Sequence, residues 1–197
     1  MQQPASAIIT PDSWTETLSI DSLFPVKGRL EVEIGCGKGK FLLSRAASCP
    51  GSNFLGIDKM MKRLRKTDRK IAKSGLQNVK LVHIEASYVF EKLLPDSSVW
   101  TLYIFFPDPW PKRRHHLRRL FTPQFMDSQY RVLIPGAQIY IATDHLEYSK
   151  WISKLFSNDP RYISIPPLEP TEEERSEFDT LFMSQGTAIA RLGFSKK

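Results

Sequence analysis

The stretch Val99–Phe106, VWTLYIFF, is apolar on both faces of an extended chain. A strand with one face in water alternates apolar and polar residues. A strand without that alternation belongs in the middle of a parallel sheet, covered on both sides. Such a sheet needs crossover helices, and the chain supplies them. Short apolar runs at Leu30–Ile34 (LEVEI), Asn53–Ile57 (NFLGI), Val79–Ile84 (VKLVHI) and Ala137–Ala142 (AQIYIA) alternate with longer amphipathic stretches. The latter predict helices over Lys40–Ala47, Lys59–Ser74, Pro123–Ile134 and His145–Phe156, with Gly75 ending the second in a positive-φ conformation. A short strand at Arg161–Ile165, a helix over Glu172–Met183 and a last strand at Thr187–Phe194 complete the pattern. The expectation is an α/β fold, a mostly parallel sheet with helices on both faces. Residues 1–28 show no sustained period and read as a loosely attached N-terminal arm, leaving 29–197 as the domain.

In such a sheet, ligands sit at the carboxyl ends of the strands. The chemistry is therefore expected just after Ile34, Ile57, Ile84, Phe106 and Ala142. After Ile34 comes Gly35-Cys36-Gly37-Lys38-Gly39, a turn in which Gly35, Gly37 and Gly39 let the backbone bend and a ligand approach the helix start. Lys40 stands where a dinucleotide fingerprint requires glycine, which disfavours a nicotinamide oxidoreductase, and the P-loop pattern is absent. Glu33, Asp58, Glu85 and Asp108 stand at four successive strand ends. Asp58 lies 19 residues beyond Gly39, the place where an acid grips a ribose in nucleotide-binding α/β folds. An acidic rim repels a pyrophosphate and attracts S-adenosylmethionine, which carries a sulfonium and an ammonium. The alternative is that these acids only cap helices.

The segment Phe105–Leu120, FFPDPWPKRRHHLRRL, places three prolines in five positions around Asp108 and Trp110. Proline fixes φ, so this loop has little conformational freedom left to lose. Five Lys/Arg and two His follow in the eight residues Lys112–Arg119. The cations suit phosphate contacts, and Trp110 and the imidazoles offer stacking faces for an extruded base. The helix from Lys59 adds Lys62, Arg63, Arg65, Lys66, Arg69, Lys70 and Lys73 against the single acid Asp68, a second candidate track for RNA. The balance of 28 Lys+Arg against 21 Asp+Glu, a net charge of +7, agrees with a polyanionic partner. Asp144 reads either as the N-cap of the next helix or as a pocket residue. Tyr148 and Trp151 read as packing residues, His83 as a hydrogen-bonded core residue. Cys36 reads as a small residue that fits the turn rather than as a nucleophile.

The two cysteines, Cys36 and Cys49, have no metal-binding or redox spacing, and no metal site is expected. No apolar run approaches the ~20 residues that span a bilayer. The N-terminus MQQPASAIITPDSW lacks the charged and apolar regions of a secretory signal. The expected location is the cytoplasm, with no membrane and no DNA partner.

Taken together, EIGCGKG, GID, FFPDPWPKRRHHLRRL and ATD resemble the bacterial tRNA (guanine-N7-)-methyltransferase family, from about Leu30 to the C-terminus. The glycine turn carries only the broader class I methyltransferase signal, whereas the PDPWPKxRHxxRR run is much more specific. The resemblance implies a Rossmann-like class I methyltransferase fold with a seven-stranded sheet and an antiparallel last strand. It implies methyl transfer from S-adenosylmethionine to N7 of guanosine 46 in the tRNA variable loop. Glu33, Asp58, Glu85 and Asp108 match positions assigned to the cofactor, Asp108 also to the active site, and Lys112 and Asp144 to the RNA substrate. The family's late T-x-F-E substrate element reads Ser176-Glu177-Phe178-Asp179 here, one methylene shorter on the acid, and Glu85 stands where aspartate is common. Two rival readings differ in class: methylation of an exocyclic base amine, and a non-catalytic RNA-binding module on the same fold. The oligomeric state is not legible.

Overall fold

The structure is a computed structural model and describes residues 6–197. In chain order its elements are β1 (Ile8–Ile9), α1 (Ile20–Leu23), β2 (Arg29–Ile34), α2 (Lys40–Ser48), β3 (Ser52–Asp58), α3 (Met61–Ser74) and β4 (Val79–His83). Then follow α4 (Ala86–Tyr88), which runs on into a π-helical turn at Val89–Leu93, β5 (Val99–Phe105) and a 3-10 segment, Arg113–Arg118. The chain closes with α5 (Pro123–Val132), β6 (Leu133–Thr143), α6 (Leu146–Ser157), β7 (Tyr162–Ile165), α7 (Glu177–Ser184) and β8 (Ala190–Lys196).

The strands form one sheet in the order β1-β4-β3-β2-β5-β6-β8-β7. Neighbours from β1 to β6 run parallel, and β8 lies antiparallel between β6 and β7. The chain works outward from β2 through β3 to β4, then returns to β5 on the other side of β2. The crevice above β2 and β5 is thus the switch point of the sheet. Period-2 side chains feed two cores. On one face α2 and α3 place Leu42, Ala46, Leu64 and Ile71 over Phe54 and Leu81. On the other, α5, α6 and the π turn place Phe90, Phe125, Tyr148 and Phe156 over Val32, Leu102, Ile104 and Ile139.

The structure corrects three expectations. The sheet has eight strands rather than seven, because Ile8–Ile9 of the arm pairs with Leu81–Val82 of β4. A two-residue strand has no period to read. The arm is also not loose from Ser6 onward: Ala7, Leu18 and Phe24 are buried, the Leu18 amide donates to the Leu93 carbonyl at 2.8 Å, and that of Ala7 to Asp68 at 2.7 Å. The last helix begins at Glu177, not Glu172. Thr171–Glu174 forms a separate turn whose buried Glu174 accepts from Arg45 at 3.1 Å.

Candidate active site

The glycine turn after β2 holds all three glycines in the left-handed region, with φ of 75° at Gly35, 56° at Gly37 and 72° at Gly39. Gly39 is the N-cap of α2, and a Cβ there would lie 2.4 Å from Thr67 Cγ2 on α3. The missing side chain therefore lets two helices meet beside the turn. The Gly35 and Cys36 amides donate to the Ile57 carbonyl at 2.8 and 3.1 Å, which ties the turn to the end of β3. Over it opens a cavity of about 410 Å³, lined by the turn, Glu33, Phe41, Arg63 and Phe105 and roofed by Ser176, Phe178 and Leu181 of the α7 region. That volume falls within the range of small-molecule sites.

All four strand-end acids reach this edge, but in two environments. Glu33 and Asp58 are buried. Asp58 accepts from the Gly37 amide at 3.0 Å and the Met60 amide at 2.7 Å, so it braces the turn. Glu33 is 3 % exposed, and its Oε2 is buried without a partner. Burial, and after it the charge of Asp58, push its carboxyl up to about 8. A buried carboxyl with a partnerless oxygen and no counter-charge, lining a cavity, fits a ligand whose positive charge would favour its ionised form. Glu85 and Asp108 have exposed side chains, and Lys59 Nζ lies between them, 3.8 Å from one and 3.9 Å from the other.

The loop that carries Asp108 is strained at both ends. Phe106 and Trp110 take φ of 53° and 42°, a conformation costing non-glycine residues about 1–3 kcal/mol each. Such strain persists only where the surroundings hold it. The Phe106 amide donates to the Ala142 carbonyl at 2.7 Å, and its ring packs 5.8 Å from Phe178 and 5.3 Å from Phe182. The Trp110 ring meets His115 edge-on at 5.7 Å and lies under the Arg118 guanidinium at 5.1 Å. Lys112, Arg113, Arg114 and Arg118 are exposed. Arg119 is not: it turns into the protein, so the expected phosphate-facing run stops at Arg118.

The remaining expected residues separate by what they touch. Asp144 is half-buried and is not the cap of α6; that role falls to His145, whose Nδ1 accepts the Tyr148 amide at 3.2 Å. The expectation that Asp144 caps the helix is corrected. Ser176 caps α7, and Asp179 completes a reciprocal box by accepting from the Ser176 amide at 3.2 Å. Asp179 is 1 % exposed and its other oxygen accepts from Arg191 at 2.5 Å. Asp179 thus faces protein, bonded to Ser176 and Arg191. Glu177 pairs with Lys38 of the glycine turn at 2.9 Å, and the exposed Phe178 roofs the cavity. His83, expected in the core, is half-buried with its Nε2 3.1 Å from the Lys59 carbonyl. Tyr148 is a core residue as expected, with Trp151 packed on it.

Sequence reasoning missed Phe41 and Phe105 as cavity walls and Lys59 as the bridge between acids. Phe41 and Phe105 stack edge to face at 4.7 Å, an arrangement that depends on α2 crossing β5. Lys59 was visible only as one of many cations. Among the described residues no cluster of His, Cys, Asp and Glu could hold a metal ion, and no helix is long and apolar enough to cross a membrane.

Comparison with known proteins bears on this site. The family profile described as "Putative methyltransferase" matches residues 27–192. A tRNA (guanine-N(7)-)-methyltransferase of Nitrosococcus oceani is 32 % identical over 186 residues, covering 94 % of this chain and 79 % of that protein. The protein of the same name from Chlorobium phaeobacteroides is 34 % identical over 178 residues, covering 87 % and 85 %. Among solved structures, the 16S rRNA methyltransferase KamB superposes with a TM-score of 0.69 at 18 % identity, covering 92 % of this chain and 95 % of its own. The aminoglycoside resistance methyltransferase NpmB1 does so at 0.59 and 19 %, covering 86 % and 87 %. At these identities the two structures share the fold.

Proposed function

This chain belongs to the family of tRNA (guanine-N(7)-)-methyltransferases, and we propose on that premise that it methylates N7 of a tRNA guanine, with S-adenosylmethionine as donor. Guanosine 46 of the variable loop is the proposed position, 29–197 the catalytic domain, and the cytoplasm, where tRNA is processed, the location. The carrying observation is the partnerless Oε2 of buried Glu33 in a cavity bounded by the glycine turn. The donor, when bound, supplies a sulfonium methyl that accepts the N7 lone pair while the C–S electrons return to sulfur.

Guanine N7 carries an in-plane lone pair and no proton, so no general base is required. The protein's work is alignment and charge placement. Glu33 would face the cationic end of the donor, Asp58 would hold the turn, and Gly35, Gly37 and Gly39 would let the donor approach the backbone. Glu85 would reach it from the end of β4. Asp108, held by a proline-stiffened loop, would offset positive charge developing on the purine, a group oriented before the reaction begins. Lys112, Arg113, Arg114 and Arg118 would hold phosphates, Asp144 and Phe178 would contact the nucleoside, and Ser176, Glu177 and Asp179 would fix Phe178 in place. N7 lies on the Hoogsteen edge, so the guanine must leave its tertiary contacts to be reached.

The test is methyl transfer from labelled donor to unmodified tRNA, followed by nucleoside analysis. N7-methylguanosine, confirmed by chain cleavage after borohydride and aniline, supports the assignment; an N2- or N6-methyl product, or donor binding without transfer, overturns it. Asp108→Ala is expected to lower turnover by at least ~10²-fold with an unchanged melting temperature.

A further inference from the structure

Arg119 ends a basic run that otherwise faces solvent, yet it is 5 % exposed. Its Nε donates to the Pro109 carbonyl at 2.8 Å. Its guanidinium carbon lies 4.8 Å from the Tyr148 ring centre and 5.2 Å from that of Trp151. Those two rings stack on each other at 5.7 Å and 24° on α6. No phosphate can reach a guanidinium enclosed in this way. Pro109 directly follows Asp108, and the loop around it has few anchors of its own, because Pro107, Pro109 and Pro111 have no amide hydrogen to donate. The loop also carries left-handed backbone at Phe106 and Trp110, which an outside contact must hold. The Pro109 carbonyl is such a contact point. The aromatic pair that seats Arg119 belongs to the helix that starts two residues after Asp144.

We propose that Arg119 is a positioning residue rather than an RNA contact: it fixes the Asp108 loop to α6, and so sets Asp108 and Asp144 in a constant relation. This rests on the methyl-transfer reading for its kinetic consequence, but its structural consequence stands apart from it. Lysine keeps the charge but has neither the broad guanidinium that lies over Tyr148 and Trp151 nor the Nε–H that donates to the Pro109 carbonyl. Arg119→Lys is therefore a loss-of-position variant, whereas a phosphate contact would tolerate it.

Three measurements on the full chain decide the matter, made on wild type, Arg119→Lys, Arg119→Gln and, as the exposed comparison, Arg114→Ala. In single-turnover transfer at saturating tRNA and donor, Arg119→Lys is expected to be about 10²-fold slower. Its tRNA affinity should stay within about twofold of wild type, with an unchanged slope against salt. Arg114→Ala should instead weaken tRNA binding and reduce that slope by about 1. By hydrogen exchange, the Trp110–Arg118 segment should be less protected in Arg119→Gln and unaffected in Arg114→Ala. A salt slope that falls in Arg119→Lys as it does in Arg114→Ala overturns the proposal, and so does unchanged exchange in Arg119→Gln. Should wild type transfer no methyl group to tRNA, the functional reading fails, while the exchange result still decides the clamp. Should Arg119→Lys melt below the assay temperature, Trp151→Leu removes one of the two rings under the guanidinium and is expected to slow transfer about 10-fold with the same unchanged salt slope; a normal rate there overturns the proposal.

Discussion

Glu33 shows how much one residue's surroundings can change its chemistry. Its carboxyl, ordinarily near 4.5, is pushed up to about 8 by burial and then by Asp58. Between those two values the folded protein holds a proton that the unfolded chain gives up. Stability therefore falls as pH rises through that window. Glu33→Gln removes this dependence, because the amide is neutral throughout. Its melting temperature is expected to rise relative to wild type, by an amount that grows from about pH 4.5 to about pH 8. A difference that stays constant over that range would show that Glu33 is not protonated. The same variant should weaken donor binding at alkaline pH, where wild type presents a carboxylate to a cation. Titration calorimetry with S-adenosylmethionine reads this directly.

At the scale of elements, α7 is held over the cavity by contacts of unequal value. The Lys38–Glu177 pair is half-exposed on both sides and is worth less than about 1 kcal/mol. Losing the Ser176 cap costs about 1 kcal/mol, the usual value for an N-cap. Asp179 matters more, because it closes the capping box and pairs with Arg191 of β8, whose side chain is largely buried. Asp179→Ala leaves that arginine with only the exposed Glu169, 3.3 Å from its Nε, and is expected to cost about 3 kcal/mol, read as a lower urea midpoint. Since α7 roofs the cavity, the variant should also bind donor less tightly, whereas Lys38→Ala should leave the midpoint almost unmoved. None of this ranking is visible in the string Ser176-Glu177-Phe178-Asp179, where all four residues look equally available to a substrate.

For the whole molecule, the arm and the charge distribution set the terms. Leu18 and Phe24 enter the core that contains Leu30, Val32 and Phe90. Removing residues 1–28 uncovers that core, at roughly 1.5–3 kcal/mol for each buried apolar side chain lost. The truncated chain is expected to unfold at lower urea concentration; an unchanged midpoint would mean that the arm only rests on the surface. Most strands and helices from Arg29 onward were legible because periods of 2 and 3.6 are local properties of a sequence; α4 and its π turn over Ala86–Leu93 were not, being too short to show a period, and the last helix starts five residues later than expected. The arm was not, since Ala7, Leu18 and Phe24 are too far apart to set a period and are buried only by elements far along the chain.

The sequence by itself determined the alternation of strands and helices, the glycine turn, and the arrival of Glu33, Asp58, Glu85 and Asp108 at one edge. Each of these follows from residues within a few positions of one another. Only the tertiary structure decided which acids are buried, that His145 rather than Asp144 caps α6, that Asp179 faces Arg191, and that Arg119 leaves the basic surface to grip the Asp108 loop. A side chain's accessibility depends on what distant parts of the chain pack over it, and that information appears only when the elements meet.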